Sequence, residues 1–297
     1  MITTRNVSID DICHTTLIPK IVHYCWFGDM VMPQTIVRCL NSWREHLPEY
    51  QFVLWRNQHI PRDLTYAQNA FRLKNWSNLS NFFRLAAVYQ FGGVYLDTDI
   101  LLVKPLDSLL TNGCFLGCQD RSPVSWMVNT AVIGAVPRHW FVGDLLGSLL
   151  EDFNGDENSS LSGVNLVSRK LQRLGIKKYN KSIIQIDDIT IYPVRYFYPI
   201  SYREKHKLLN PESSLTQDTI AIHFWMNSWV SSDTPIVPKW SFFNIQLAKI
   251  RRLLVKSLKA LKINGLLSQI SEKALIAKLK RVDRVTTYLK NNISLDN

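Results

Sequence analysis

Apolar residues recur along this chain with the spacings of strands and helices, and the two kinds of element alternate. Residues 18–28 form an apolar run that ends in a glycine, which predicts a buried first strand followed by a turn. Residues 33–46 have apolar positions at helical spacing, and residues 50–55 alternate as a second strand. Because a strand, a helix and a second strand in this order begin a parallel sheet, the pattern predicts an α/β fold with a mostly parallel, mixed sheet.

The same kind of pattern continues through the middle of the chain. Residues 77–90 have the apolar spacing of a helix and run into Gly92 and Gly93, which end a helix and permit a tight turn. An apolar, strand-favouring run at 91–103 follows. Later apolar segments predict more strands and helices, at 114–118, 126–136, 139–153 and 163–174. We therefore expect one Rossmann-type domain over residues 17–239, after a loosely ordered lead-in at 1–16.

The C-terminal part of the chain has a different composition. Residues 239–297 contain 13 Lys or Arg and 3 Asp or Glu, so they hold +10 of the chain's formal net charge of +11. Their apolar and basic residues fall on opposite faces at helical spacing, which predicts a basic amphipathic helical tail over 240–297. Such a helix is attracted to an anionic membrane surface, although a helix packed on the domain with a solvated basic face has the same pattern.

Composition narrows the class of protein further. With 297 residues, of which 46% are hydrophobic, the chain can bury a sizeable core. It contains no apolar run of the length that spans a bilayer and no N-terminal segment with the pattern of a secretory signal. The five cysteines lack the spacing of paired metal ligands, so we expect a reducing, cytoplasmic location.

Two carboxylates, Asp97 and Asp99, interrupt the apolar run at 91–103. Buried carboxylates are costly unless a cation or hydrogen-bond donors receive them. Hard divalent cations such as Mg²⁺ or Mn²⁺ bind closely spaced carboxylates and complete their coordination with substrate phosphates. The alternative is that both residues cap a turn where a strand stops, and the residues alone leave both interpretations open.

The helix before these carboxylates carries polar residues of its own. Asn81 and Arg84 stand three residues apart, so they share a helical face and can converge on a common ligand. The chain has neither a G-x-G-x-x-G fingerprint nor a P-loop, so phosphates would have to be held another way. A bound metal ion would hold the phosphates instead.

Several ordered segments resemble one family. Residues 74–103, which include Asp97-Thr98-Asp99, resemble the bacterial glycosyltransferases with a sugar-binding DXD region. That family includes yeast-type initiating mannosyltransferases and is distantly similar to the clostridial glucosylating toxins. The same family pattern is found in IPKIVHYCWFG at 18–28, in IYPVRYFYP at 191–199 and in AIHFWMNSW at 221–229.

The resemblance implies a GT-A-like fold and a metal-dependent, retaining transfer of a sugar. The donor would be a nucleotide sugar, such as a UDP-sugar, and the acceptor would be a glycan. In bacteria this glycan is commonly a lipid-linked precursor of surface polysaccharide or O-antigen. We therefore expect a peripheral protein on the inner face of the cytoplasmic membrane, bound there through the basic tail.

The resemblance also assigns roles to single residues. Asp97, Asp99 and His223 would hold Mn²⁺ or Mg²⁺, with Asp99 as the more direct ligand, and Arg84 would bind the donor's sugar or phosphate. Trp26 would stack on the nucleobase. The remaining donor contacts would come from Asn81, Asn129, Asn227, Ser228 and Trp229. Without the resemblance, Trp26 is also compatible with a core aromatic, Asn129 with a turn-forming residue and His223 with a core histidine.

One position departs from the family, which usually has aspartate where this chain has Asn81. An amide keeps a hydrogen-bond acceptor oxygen but adds an NH₂ donor. This change predicts a preference for N-acetylhexosamine donors, whose acetamido carbonyl would accept from that donor group.

A second hypothesis is a catalytically silent protein that keeps the fold and binds a membrane surface or nucleic acid. The basic tail and Asn81 favour it. Nucleic acid is not expected as a partner, because the tail's apolar face lacks interleaved aromatics for base stacking and the rest of the chain is nearly neutral.

Overall fold

A seven-stranded mixed sheet forms the centre of the protein. The computed structural model describes residues 17–119, 127–176, 181–226, 280 and 282–290. The strands lie in the order β2-β1-β3-β6-β5-β8-β7. Their bounds are β1 Ile21–Cys25, β2 Gln51–Trp55, β3 Gly93–Leu96, β5 Cys114–Cys118, β6 Val128–Ala135, β7 Ile184–Ile186 and β8 Ile189–Tyr192.

Most of these strands run in one direction. Strand β1 is parallel to both β2 and β3, and β5 is parallel to β8. Strand β6 is antiparallel to its neighbours β3 and β5, and the edge strand β7 is antiparallel to β8. The predicted α/β class with a mostly parallel, mixed sheet is confirmed.

Helices flank the sheet and enclose a core on each of its faces. Their bounds are α1 Gln34–His46, α2 Thr65–Arg72, α3 Trp76–Phe91, α4 Trp140–Asp152, α5 Ser159–Ser162, α6 Val164–Arg173 and α7 Val194–Phe197. The helices predicted at 33–46, 77–90, 139–153 and 163–174 are confirmed within one residue at most ends. The four described cysteines are buried thiols without a disulfide.

Helix α3 is buried along almost its whole length and positions the functional residues. The Asn75 side chain accepts a hydrogen bond from the backbone of Asn78 and caps its N-terminus. Its apolar side chains pack into the core, while Asn78, Asn81 and Arg84 are buried polar residues that need partners. The helix ends at Gly92, where φ is +66° and an added Cβ would lie 2.7 Å from Pro137.

The apolar run at 91–103 is divided between two sheets, which corrects the prediction of one strand interrupted by carboxylates. Strand β3 ends at Leu96, and the backbone N–H of Ile100 donates to the carbonyl of Asp97 in a tight turn. Strand β4, Ile100–Leu102, then pairs antiparallel with β9, Ala221–His223, in a separate two-stranded sheet. The division follows from this distant partner, which draws β4 away from the main sheet.

The described end of the tail packs against the body of the protein. Helix α8, residues 282–290, buries Val282 and Leu289 in the larger core cluster. Asp283 accepts hydrogen bonds from the Tyr89 hydroxyl (3.2 Å) and from Arg138 (2.6 Å). Within 282–290 the apolar face therefore covers protein. Apart from Lys280, the rest of the predicted amphipathic tail lies outside the described residues, as do residues 1–16. No helix in the described ranges combines the length and the apolar character that a bilayer crossing requires.

Candidate active site

A cleft opens at the carboxyl ends of β1 and β3, which are parallel neighbours. Parallel α/β sheets bind ligands at this edge. We call the N-terminal half of α3 the floor of the cleft and the residues around α5 one wall, and His223 and Trp225, at the end of β9, line another side. Its lining includes Cys25, Trp26, Phe27, Met30, Trp76, Ser77, Ser80, Asn81, Arg84, Tyr95, Asp97, Thr98, Asp99, Asn129, Asn158, Ser159, Ser160, Gly163, Val164, His223 and Trp225.

The pairing of β4 with β9 brings Asp99 and His223 together. Ile100 lies opposite His223 in the register, and one Asp99 oxygen is 3.1 Å from His223 Nε2. The other Asp99 oxygen accepts a 2.9 Å hydrogen bond from the backbone N–H of Met226. Burial disfavours the charged form of Asp99, but His223 and the Met226 N–H outweigh it, so the pKa of Asp99 lies below its ordinary value.

Arg84, on the floor of the cleft, forms a hydrogen-bonded ion pair with Asp97. Arg84 Nη2 donates to Asp97 Oδ1 at 2.7 Å, and the Tyr95 hydroxyl donates to the same oxygen at 3.0 Å. The other terminal nitrogen of Arg84 donates to Thr130 Oγ1 at 2.7 Å, and its guanidinium carbon lies 4.9 Å from the centre of the Tyr95 ring. Burial disfavours the charge of Arg84, but Asp97, Tyr95 and Cys25 together outweigh burial, so the pKa of Arg84 lies above its ordinary value.

Arg84 lines the cleft, and its expected contact with the donor stays a prediction. One N–H of each of its terminal nitrogens donates within the protein, to Thr130 and Asp97. Arg84 therefore orients a carboxylate from below, in the way that partners behind a metal-binding group fix the group's position.

Asp97, Asp99 and His223 meet in the cleft as predicted. Each offers a ligand atom, and these atoms all lie within 4.8 Å of one another. The buried Nδ1 of His223 has no hydrogen-bond partner among the described residues. Two carboxylates and one imidazole suit Mn²⁺ or Mg²⁺. The residues present therefore fit the divalent ion that the DXD pattern implies.

Asn81 lines the cleft, but its donor groups are occupied. Its Nδ2 donates to the Ser159 carbonyl (2.9 Å) and to Ser162 Oγ (3.2 Å). Because a carbonyl accepts and cannot donate, this contact fixes the orientation of the amide. The NH₂ group is thus unavailable to an acetamido carbonyl. The structure removes the basis for the expected N-acetylhexosamine preference.

The other predicted donor-binding residues differ in their freedom to contact a ligand. Trp26 lines the cleft, and its indole N–H donates to the Met30 carbonyl at 2.7 Å. Asn129 also lines the cleft, but its amide donates to Gln119 and accepts from the Ala131 N–H, so it shapes the strand locally. Asn227, Ser228 and Trp229 lie outside the described residues.

Sequence reasoning missed Trp225. Its ring centroid lies 4.0 Å from that of His223, and its indole N–H donates to the Ile200 carbonyl at 2.9 Å. Its φ is +52°, a conformation that is rare for a bulky residue and that is often found at functional sites. The signal was the His-x-Trp spacing after an apolar strand, since residues two apart share a face.

Comparison with known proteins finds two glycosyltransferase regions. Residues 33–116 match a family described as "Glycosyltransferase sugar-binding region containing DXD motif". Residues 135–257 match an "Alpha 1,4-glycosyltransferase conserved region". The Asp97-Thr98-Asp99 turn lies in the first region, and His223 lies in the second.

Curated relatives align with about half of this chain. Human lactosylceramide 4-alpha-galactosyltransferase is 30% identical over 152 residues, which are 50% of this chain and 41% of that protein. Human alpha-1,4-N-acetylglucosaminyltransferase is 28% identical over 167 residues, which are 53% of this chain and 45% of that protein. In both cases the chain spans less than half of the relative's length.

Similarity to solved structures is weaker. The PaToxG glycosyltransferase structure has a TM-score of 0.41 and 16% sequence identity, and the match covers 53% of this chain and 70% of that one. The α/β assignment therefore rests on the sheet itself.

Proposed function

We propose that this chain, which carries a DXD sugar-binding region and an α1,4-glycosyltransferase region, is a metal-dependent retaining glycosyltransferase. It would transfer a sugar from a nucleotide-sugar donor to a glycan acceptor. The observation that carries this proposal is the convergence of Asp97, Asp99 and His223 in one cleft at the carboxyl ends of parallel strands. The matched families support the same reaction class.

The charges in the cleft suit the chemistry of the leaving group. As a nucleoside diphosphate departs, negative charge builds on its terminal phosphate, and a bound Mn²⁺ or Mg²⁺ would neutralise that charge as a Lewis acid. Asp97 and Asp99 would hold the ion together with His223. Arg84 and Tyr95 keep Asp97 in place, and the Met226 N–H keeps Asp99 in place.

The carboxylates in the described part of the cleft are Asp97 and Asp99, and both serve the proposed metal site. This leaves no described carboxylate for a covalent glycosyl intermediate. We therefore favour attack by the acceptor hydroxyl on the same face from which the diphosphate leaves, with a leaving-phosphate oxygen taking the hydroxyl proton. That course retains the anomeric configuration.

We further propose a UDP-sugar donor and a lipid-linked glycan acceptor, such as a surface-polysaccharide or O-antigen precursor. The name of the human lactosylceramide relative supports an acceptor sugar carried on a lipid. The basic composition of residues 239–297 supports a peripheral site on the inner face of the cytoplasmic membrane.

A screen of nucleotide sugars tests the proposed function. Purified protein is incubated with UDP-galactose, UDP-glucose, UDP-N-acetylglucosamine and GDP-mannose, with and without Mn²⁺, and the released nucleoside diphosphate is measured. We expect Mn²⁺-dependent release from one donor, which an acceptor glycolipid increases. Absence of release from every donor in the presence of Mn²⁺ and glycolipids would support a catalytically silent protein.

Substitution of Trp26 tests how the donor's base is bound. We expect Trp26→Ala to weaken nucleotide binding by about 1–3 kcal/mol, the usual contribution of one base stacked on an aromatic ring. Calorimetry with the free nucleoside diphosphate and Mn²⁺ measures the change. Trp140→Ala is the control, since Trp140 is exposed and lies outside the cleft. If Trp26→Ala leaves the nucleotide affinity unchanged, Trp26 packs within the protein and does not stack on the base.

A further inference from the structure

One wall of the cleft is anchored to its floor by a buried polar network. We call residues 154–163, which include α5, the anchored loop. Asn78 Nδ2 donates to the carbonyls of Gly155 (3.0 Å) and Glu157 (2.9 Å), and Asn75 Nδ2 donates to the Glu157 carbonyl (3.2 Å). Asn81 Nδ2 donates to the Ser159 carbonyl at 2.9 Å. Three asparagines at three-residue spacing, the N-cap Asn75 and two residues within α3, therefore hold the backbone of the loop.

Side chains of the loop complete the network. Ser162, which is 1% exposed, donates to Asn78 Oδ1 (3.1 Å) and accepts from Asn81 Nδ2 (3.2 Å). The buried Glu157 carboxylate accepts from the Gly155 N–H (2.9 Å) and from the Tyr66 hydroxyl (3.1 Å). Because its buried members are hydrogen-bonded to one another, the network gives the loop one position.

Close packing reinforces the contact between Asn81 and the loop. A Cβ added to Gly163 would lie 2.9 Å from the Ser159 carbonyl oxygen and 3.1 Å from both terminal atoms of the Asn81 amide. Glycine at 163 thus lets the loop backbone lie directly against Asn81. The position of Ser159 is set by this contact.

The loop faces the cleft next to the proposed metal site. Asn81 precedes Arg84 by about one helical turn, roughly 5 Å along the axis, and Arg84 binds Asp97. Because Asn81 contacts Ser159 and Arg84 contacts Asp97, a sugar attached to a metal-bound diphosphate would lie along this part of α3, beside the loop.

The chemistry of this wall suits an uncharged, hydroxyl-bearing ring. The loop lines the cleft with Asn158, Ser159 and Ser160, which hydrogen-bond without charge. Ser159 is half-buried. Its hydroxyl has no hydrogen-bond partner among the described residues. None of the residues that the loop contributes to the described lining carries a charge.

We propose that the anchored loop is the subsite for the sugar being transferred, with Ser159 in contact with an uncharged sugar ring and Asn81 as a positioning residue. This inference rests on the proposed function. The proposal also explains why asparagine suits position 81. An aspartate there has no hydrogen-bond donor, so it could not bond to the Ser159 carbonyl.

Differential binding tests the proposal without relying on turnover. Calorimetry with Mn²⁺ compares the donor identified in the nucleotide-sugar screen with its free nucleoside diphosphate. We expect Ser159→Ala to bind the nucleotide sugar about 3–10-fold more weakly, as for the loss of one hydrogen bond, and to bind the nucleoside diphosphate with wild-type affinity. Asn81→Asp should show the same selective loss. Ser213→Ala, on an exposed segment outside the cleft, is the matched control and should bind both ligands normally.

Each other outcome has a distinct meaning. If Ser159→Ala leaves the affinity for the nucleotide sugar unchanged, or weakens both ligands equally, the proposed subsite is wrong while the proposed function stands. If binding is unchanged but transfer to an added acceptor falls, the loop contacts the acceptor, and the assignment to the transferred sugar is overturned. If the wild-type protein binds no nucleotide sugar, the proposed function and this subsite fail together.

Discussion

Asp99→Asn is expected to lose sugar transfer while keeping the fold. An amide has nearly the volume of a carboxylate and its oxygen can still accept from the Met226 N–H, but it lacks the charge that a divalent ion requires. Removal of one group that stabilises developing charge typically costs about 10²–10³ in kcat. We expect activity below about 1% of wild type, measured as Mn²⁺-dependent release of nucleoside diphosphate from the preferred donor.

The control for this substitution is Asp107→Asn. Asp107 is an exposed residue outside the cleft, where it forms an ion pair with Lys20 at 2.9 Å. It should retain activity, and thermal unfolding should show that both variants are folded. Full activity in folded Asp99→Asn would exclude Asp99 as a ligand.

Arg84→Lys is expected to weaken metal binding. Lysine keeps the charge but cannot reach Thr130 and Asp97 together as the guanidinium does. Loss of a partner that orients a metal ligand typically costs 10–100-fold in metal affinity or activity. We expect Mn²⁺ affinity to fall by about that factor, measured by titration.

Arg44→Lys is the matched control, since Arg44 is exposed and contacts Asn41 on the surface of α1. It should bind Mn²⁺ normally. Arg84 would instead be a direct donor contact if Arg84→Lys kept its Mn²⁺ affinity and lost affinity for the nucleotide sugar.

The elements of the fold followed from local patterns in the sequence. The apolar spacing before Gly92 and Gly93 predicted helix α3, which spans Trp76–Phe91. The division between β3 and β4 could not be predicted in this way. It depends on pairing with Ala221–His223, which lies far along the chain and gives no local signal.

The candidate site was likewise predictable in its composition and less so in its contacts. Asp97, Asp99 and His223 were expected to meet, and they do. Helical spacing placed Asn81 and Arg84 on one face but could not identify their partners. Those partners, Ser159 and Asp97, come from other segments of the chain, and through them Asn81 and Arg84 also position other residues.

Asp97, Asp99 and His223 are expected to form a site for one divalent ion. Electron paramagnetic resonance of free Mn²⁺, titrated into the protein with saturating nucleoside diphosphate, counts bound ions directly. We expect one tight Mn²⁺ site per chain in the wild-type protein and the loss of that site in Asp99→Asn. A wild-type protein that binds no Mn²⁺ under these conditions, or an Asp99→Asn variant that binds it equally well, would contradict a metal site at Asp97, Asp99 and His223.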